Sequence, residues 1–328
     1  MITGAGPLTG HFEALDEVER GPAKMRLQIG SPMCFSCPMT AEPTRADIAD
    51  LVLHDPDLGR LARDLRPDPP DQGRLFRGRL INSGASCVLK VEPGQLEADW
   101  MPAISSRATD IVARVLGSGT LAGGNQRWLL LEDLPVRGRS DRQGDVIGVM
   151  RCAARFQQVA ADVLLPTYPI DAEFMTVYTR QAIEANCPGP AGEVLTRIKD
   201  DDDWLRSLGG HTVGHGDVHF WNAVAATPSG PWRLIDPIPR TAHWAWDAAY
   251  AQLTSGVPET PDLIAVLANQ RQRLDLPVEE RDLLNQVRTR LLGWSSLLWW
   301  AILPARRAEP WWHGQVRRNV AALATLQH

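Results

Sequence analysis

The stretch "HGDVHFWNAV", residues 215–224, followed by "PWRLIDPIP", residues 231–239, decides how the rest of the chain is read. It sets His215, Asp217 and Asn222 at short intervals, then places Asp236 behind the apolar pair Leu234-Ile235. Transfer of a nucleotide's terminal phosphoryl group asks little covalent chemistry of a protein. It asks for a carboxylate that orients an acceptor hydroxyl and takes its proton, and for hard oxygen ligands that hold Mg²⁺ on the phosphates. Asp217, on a loop tip, suits the first task. Asn222 and Asp236 suit the second, with the apolar residues ahead of Asp236 placing it at the end of a buried strand.

Upstream, the chain is strand-rich. Residues 1–45 carry Gly, Pro and Met without a sustained period and read as an arm. Residues 44–65 show helical spacing of Ile48, Leu51, Leu53, Leu58 and Leu61, broken near Pro56, and "RPDPPDQG" (66–73) is a breaker. The segments 74–81 and 86–92, joined by the turn "NSGA" (82–85), predict a β-hairpin. A short helix is expected in 94–106, with strands in 110–120 and 126–134. Helical patterns then dominate 144–164, 171–185 and 191–208, and return in four segments after the opening motif. The layout is α+β and bilobal. It gives an arm (1–45), a small β-rich lobe (46–132) and a larger helical lobe (133–328).

The order "HGDVHFWNAV…RLIDP…WDAAY" over residues 215–250 resembles the catalytic region of the protein-kinase-like fold, specifically the aminoglycoside phosphotransferase family, whose members read H-G-D-x-x-x-x-N and then I-D. "PWRLIDPIP" looks closest to its streptomycin-kinase-like branch. The resemblance implies Asp217 as catalytic base, Asn222 and Asp236 as metal ligands, and Asp247 as a structural carboxylate. It also implies a phosphate-clamping lysine, which "VLKV" supplies as Lys90, with Glu97 as its helix partner and Asp99 or Glu92 as the other candidates. "LLLEDLP" (129–135) resembles the interlobe hinge, where backbone groups around Glu132, Asp133 and Leu134 would meet a purine edge. A glycine-rich phosphate loop should precede "RLFRG", but only Gly73 stands there.

Two departures separate the chain from protein kinases. Gly216 occupies the place of the arginine that binds an activation-loop phosphate, and Pro237 follows Asp236 where Phe-Gly would stand, with no A-P-E beyond. The expected activity is therefore a small-molecule kinase. It would use ATP or GTP with Mg²⁺ on a hydroxyl of an aminoglycoside, peptide or nucleoside antibiotic, in a resistance or self-resistance role. The alternatives are a metabolic kinase of sugar, choline or homoserine type, and a silent nucleotide-binding module. Ten of the 12 tryptophans fall in the helical lobe, among them those at 244, 246, 294, 299, 300, 311 and 312. Of these, Trp246, Trp299 and Trp300 are candidates to wall an acceptor pocket. Asp200–Asp203 would suit a cationic acceptor, Arg306 and Arg307 an anionic one.

A formal net charge of −5 argues against a nucleic-acid partner held by bulk positive charge. The N-terminus lacks a basic start and an apolar core, and "LLGWSSLLWWAILP" (291–304) is too short and interrupted to span a bilayer, so a cytoplasmic protein is expected. Five scattered cysteines form no disulfide framework. The lone "CFSC" (34–37) has no second ligand pair to complete a zinc site.

Overall fold

The structure is a computed structural model, and it describes residues 45–68, 74–122, 125–199, 210–255 and 261–326. The arm with Cys34 and Cys37, Gly73 with the expected phosphate loop, and Asp200–Asp203 lie outside the described residues. Two helices open the described chain, α1 (Arg45–His54) and α2 (Pro56–Leu61). A five-stranded antiparallel sheet follows: β1 (Ala62–Pro67), β2 (Leu75–Leu80), β3 (Ser86–Val91), β4 (Val115–Thr120) and β5 (Arg127–Glu132), in spatial order β1-β2-β3-β5-β4.

The β2–β3 hairpin forms as its sequence predicts, with Leu75 opposite Lys90 and Arg79 opposite Ser86. Its turn needs a left-handed residue and finds one in Gly84, at φ +68°. Alternation sends Phe76, Cys87, Leu89 and Val91 into the small-lobe core beside Leu58 and Leu130. Lys90 is thereby placed on the opposite face of β3.

The helical reading of 44–65 holds only to Leu61. The Ala62 N–H closes α2 on the Leu58 carbonyl, and the chain then pairs with β2, Ala62 opposite Leu80 and Pro67 opposite Phe76. Ala62 and Leu65 both bury although they stand three residues apart, because the register shifts between Arg63 and Arg66 with Asp64 at φ +55°. A bulge of this kind converts helical spacing into a one-faced strand. The strand expected over 110–120 is also shorter. Ile111, Val112 and Ala113 leave the sheet and are wholly buried against Leu234 through a parallel bridge and two backbone hydrogen bonds of 2.8 and 3.0 Å.

Between β3 and β4 lies α3 (Gln95–Arg107), whose third residue, Glu97, reaches back to the Gly94 N–H at 3.2 Å. The rest of the chain is mainly helical: α4 (Gln143–Ala160), α5 (Ala172–Glu184), α6 (Ala191–Lys199), α7 (Trp246–Thr254), α8 (Leu263–Gln272), α9 (Arg281–Ile302) and α10 (Pro310–Thr325). Phe156, Trp294 and Trp312 are among its fully buried side chains. Among the described residues, six short strands thread between the helices. In chain order they are β6 (Val136–Arg137), β7 (Tyr168–Pro169), β8 (Thr212–Gly214), β9 (Ala223–Ala225), β10 (Arg233–Leu234) and β11 (Arg240–Ala242), and they form the sheets β10-β9-β6 and β7-β11-β8. No helix among the described residues is long and apolar enough to cross a membrane.

Candidate active site

The loop carrying Asp217 runs from β8 to a short 3₁₀ turn, Phe220–Asn222. Its backbone is gathered by Asp247 in the first turn of α7. The Asp247 carboxylate accepts the Gly216 N–H at 2.8 Å and the His215 N–H at 3.1 Å. Burial pushes this carboxyl up to about 6, against the downward pull of those N–H groups. The approach demands glycine. A Cβ at Gly214 would fall 2.6 Å from the Asp247 Oδ2, and one at Gly216, which sits at φ +79°, would fall 1.8 Å from the Ile238 carbonyl oxygen. His215 is fully buried, edge-on to Phe156 at 5.3 Å, and burial lowers its pKa to about 4, so it is a neutral spacer.

Both oxygens of Asp217 are held. Asn222 Nδ2 donates to Oδ2 at 2.8 Å and to the Asp217 carbonyl at 3.1 Å, and the Tyr250 hydroxyl donates to Oδ1 at 2.8 Å. The Ile235 N–H donates to the Asn222 carbonyl at 2.9 Å and the Ile238 N–H to that of His215 at 2.9 Å, which laces the Asp236 segment to the loop. Asp236 itself sits at φ +56°, an uncommon conformation for a non-glycine residue. From the small lobe, Lys90 Nζ reaches across to Asp236 Oδ1 at 2.9 Å while donating to both oxygens of Glu97 at 2.6 Å. Burial opposes the ammonium, but Asp236 and Glu97 outweigh it and hold the Lys90 pKa above its ordinary value. Burial pushes the Glu97 carboxyl up against the pull of Lys90. The other candidate partners are engaged elsewhere, Asp99 with Arg127 at 2.8 Å and Glu92 with Arg74 at 3.1 Å.

Asn222 spends its side-chain amide hydrogens on Asp217, which leaves its side-chain Oδ1 for another partner. Together with the Asp236 carboxylate this makes a pair of hard oxygen donors. Such a pair fits Mg²⁺, which keeps its waters and shares phosphate oxygens, and among the described residues no larger His, Cys, Asp and Glu cluster forms a cage.

At the expected hinge, the Glu132 N–H bonds the Arg114 carbonyl at 3.0 Å, and its carboxylate accepts the Arg114 N–H and pairs with Arg233. Asp133 pairs with Arg77 of β2 at 2.6 Å, and Leu134 packs half-buried against the main core. Trp246 and Trp299 flank Tyr250: Trp246 precedes it by one helical turn, and the Trp299 ring lies 4.7 Å from it. Trp300 faces other partners, stacking on Trp312 at 5.3 Å and donating to the Ala185 carbonyl at 2.9 Å. Arg307 caps that helix end, donating to the carbonyls of Trp300 and Ala301.

Sequence reasoning missed Tyr250 and Arg240. The first was within reach. Tyr250 follows Asp247 by three residues, which sets both on one side of a helix facing the loop. Arg240 had no signal, since its neighbours come from three separate segments.

No protein-family model and no curated protein matches the chain. Solved structures do match it. A choline/ethanolamine kinase family protein from Mesorhizobium loti superposes with a TM-score of 0.56 at 13% identity, over 84% of this chain and 93% of that one. An aminoglycoside phosphotransferase from Alicyclobacillus acidocaldarius gives 0.53 at 14%, over 81% and 91%. A macrolide 2'-phosphotransferase from Brachybacterium faecium gives 0.52 at 14%, over 85% and 98%. What is shared at these identities is the fold: this chain has the bilobal α+β fold of the kinase-like phosphotransferases.

Proposed function

We propose that the chain is a small-molecule kinase that transfers the γ-phosphoryl group of ATP or GTP to a hydroxyl group. The observation that carries this reading is the convergence of Lys90, Glu97, Asp217, Asn222 and Asp236, drawn from three separated segments, into one chain of contacts. Lys90 binds the nucleotide phosphates and Glu97 fixes its position. Asn222 and Asp236 hold Mg²⁺, which when bound neutralises charge on those phosphates. Asp217 orients the acceptor hydroxyl. As the new O–P bond forms, the hydroxyl proton passes to Asp217 and the bond to the nucleoside diphosphate breaks, the electron pair leaving with the diphosphate. Positioned proton transfer of this kind is worth about 10²–10⁴ in rate.

An antibiotic acceptor, with a resistance or self-resistance role, is the finer reading, supported by the likeness of the motif. The fold shared with a choline/ethanolamine kinase family protein favours a metabolic acceptor as the second reading. A silent binding module has no use for the complete set of five.

The test is nucleoside diphosphate release from MgATP and MgGTP over a panel of hydroxyl compounds, antibiotics and metabolites together, with mass spectrometry of each acceptor. One acceptor gaining a single phosphoryl group, lost in Asp217→Asn with nucleotide binding retained, supports the reading. Transfer undiminished in Asp217→Asn removes Asp217 from the role, and binding without turnover on any acceptor leaves the silent module.

A further inference from the structure

The helical lobe buries an arginine that pairs with no carboxylate among the described residues. Arg240, in β11, is only 5% exposed, forms no ion pair among the described residues, and keeps its Nη1 buried without an acceptor. Its guanidinium lies over the Phe174 ring at 4.6 Å and the Tyr168 ring at 5.7 Å. Ring faces stabilise a cation but do not accept its in-plane N–H groups. The stem of Arg240 packs on Gly216, where a Cβ would come 2.7 Å from its Cγ, so the guanidinium belongs to the neighbourhood of Asp217. Burial lowers the Arg240 pKa, while Tyr250, Tyr178 and Asp217 pull the other way.

A second observation points the same way. Trp246 Nε1 and Trp299 Nε1 are also buried donors without an acceptor. Trp246 meets Phe174 edge-on at 6.4 Å, and Trp299 meets Tyr250, the residue that donates to Asp217. A buried positive charge and buried donors without acceptors thus lie around Phe174 and Tyr250, and Tyr250 is the residue that donates to the candidate base. Buried polar groups are ordinarily matched, and an unpaired buried charge is the costliest exception. Donors of this kind are matched by acceptors, and a cation by a negative charge. Tyr168, 37% exposed, places the guanidinium one ring away from solvent.

We propose that Arg240 receives an oxyanion of the acceptor, so that the molecule phosphorylated at Asp217 carries a carboxylate or phosphate near its reacting hydroxyl. This rests on reading Asp217 as the base. It sets the acceptor apart from a purely polycationic one, which Arg240 would repel. Of the two arginines that the sequence offered for an anion, Arg307 is occupied as a helix cap.

The experiment has a binding arm and a turnover arm, both at fixed ionic strength. In the first, benzoate and benzamide are titrated against the protein by tryptophan fluorescence and calorimetry, in wild type, Arg240→Lys and Arg240→Met. Benzoate is expected to bind at least tenfold more tightly than benzamide, with the preference kept in Arg240→Lys and lost in Arg240→Met. In the second, MgATP is supplied with 4-(hydroxymethyl)benzoate, its methyl ester, or 4-(hydroxymethyl)benzylamine, and the acid is expected to lead in kcat/KM by at least tenfold. Equal binding of benzoate and benzamide overturns the proposal, as does a preference that survives in Arg240→Met. Turnover that favours the ester or the amine overturns it while leaving the kinase reading intact. Arg240-dependent benzoate binding with no phosphoryl transfer to any acceptor upholds the anion site and overturns the kinase reading. Should Arg240→Met fail to fold, the acid-to-ester and benzoate-to-benzamide ratios of the wild type decide alone.

Discussion

Asp217 makes its hydrogen bonds through two oxygens, and Tyr250 takes the one that Asn222 leaves. Tyr250→Phe removes that hold without changing the shape of the core around Trp299. The expected outcome is a fall in kcat of about tenfold, on the order of a single well-placed hydrogen bond to a charged group, with nucleotide KM unchanged. Steady-state kinetics on the first acceptor identified checks it. Asp247 makes a different demand, because every group facing its carboxylate is a donor: two backbone N–H groups and Gln157 Nε2. Asp247→Asn keeps the volume but turns an NH₂ against one of those donors. A loss of about 2–3 kcal/mol is expected, one charge-assisted bond, read as a lower denaturant midpoint at unchanged slope. The identity of Asp217, Asn222, Asp236 and Lys90 as a group was legible in the sequence, because each sits at a fixed offset inside a local pattern. Tyr250 and Arg240 were not, since what distinguishes them is the company they keep across the fold.

At the scale of elements, the long α9 meets α10 where Gly293 faces Leu323. A Cβ at Gly293 would fall 2.6 Å from the Leu323 Cβ, closer than real Cβ contacts allow. Gly293→Ala gains helix propensity in α9 but must push the helices apart, and overpacking of this kind costs about 1–3 kcal/mol. The variant is expected to lower the melting temperature, and in a double-mutant cycle with Leu323→Ala its penalty is expected to shrink without vanishing, because Ala removes the Leu323 Cγ and Cδ2 but keeps the Cβ. The helices of the larger lobe were readable from their apolar period. The first strand was not, because "ARDL" continues the period of α2 and only pairing with β2 fixes it as a strand. Local sequence carries no trace of a partner strand, so tertiary pairing overrides the helical pattern there.

For the whole molecule, Glu279 ties the segment entering α9 to the segment entering α7 by accepting from His243 Nε2 at 2.9 Å and Trp244 Nε1 at 2.7 Å. Burial raises its carboxyl, but these bonds and a backbone N–H more than reverse that and bring it down to about 2. A folded pKa below the unfolded one gives stability that is present above pH 4.5 and lost as pH falls toward 2. Glu279→Gln is therefore expected to destabilise the protein at neutral pH, with the gap to wild type narrowing across that acid window. Chemical denaturation at a series of pH values checks it. The bilobal layout was visible as a shift in composition near residue 130, whereas this long-range tie was not, since neither half carries a motif of its own.

The ladder between Leu234 and residues 111–113 has a bearing on how Lys90 is held. By position in the chain, Asp236 follows the strand of the larger lobe, yet that strand is hydrogen-bonded to the segment that runs directly out of α3, the helix bearing Glu97. The two carboxylates that grip Lys90 therefore hang from one continuous piece of backbone ladder, like the jaws of a caliper locked at a single setting. Their spacing is thereby tied to that ladder. Under the proposed kinase function, an incoming phosphate would meet a lysine already held between these two carboxylates.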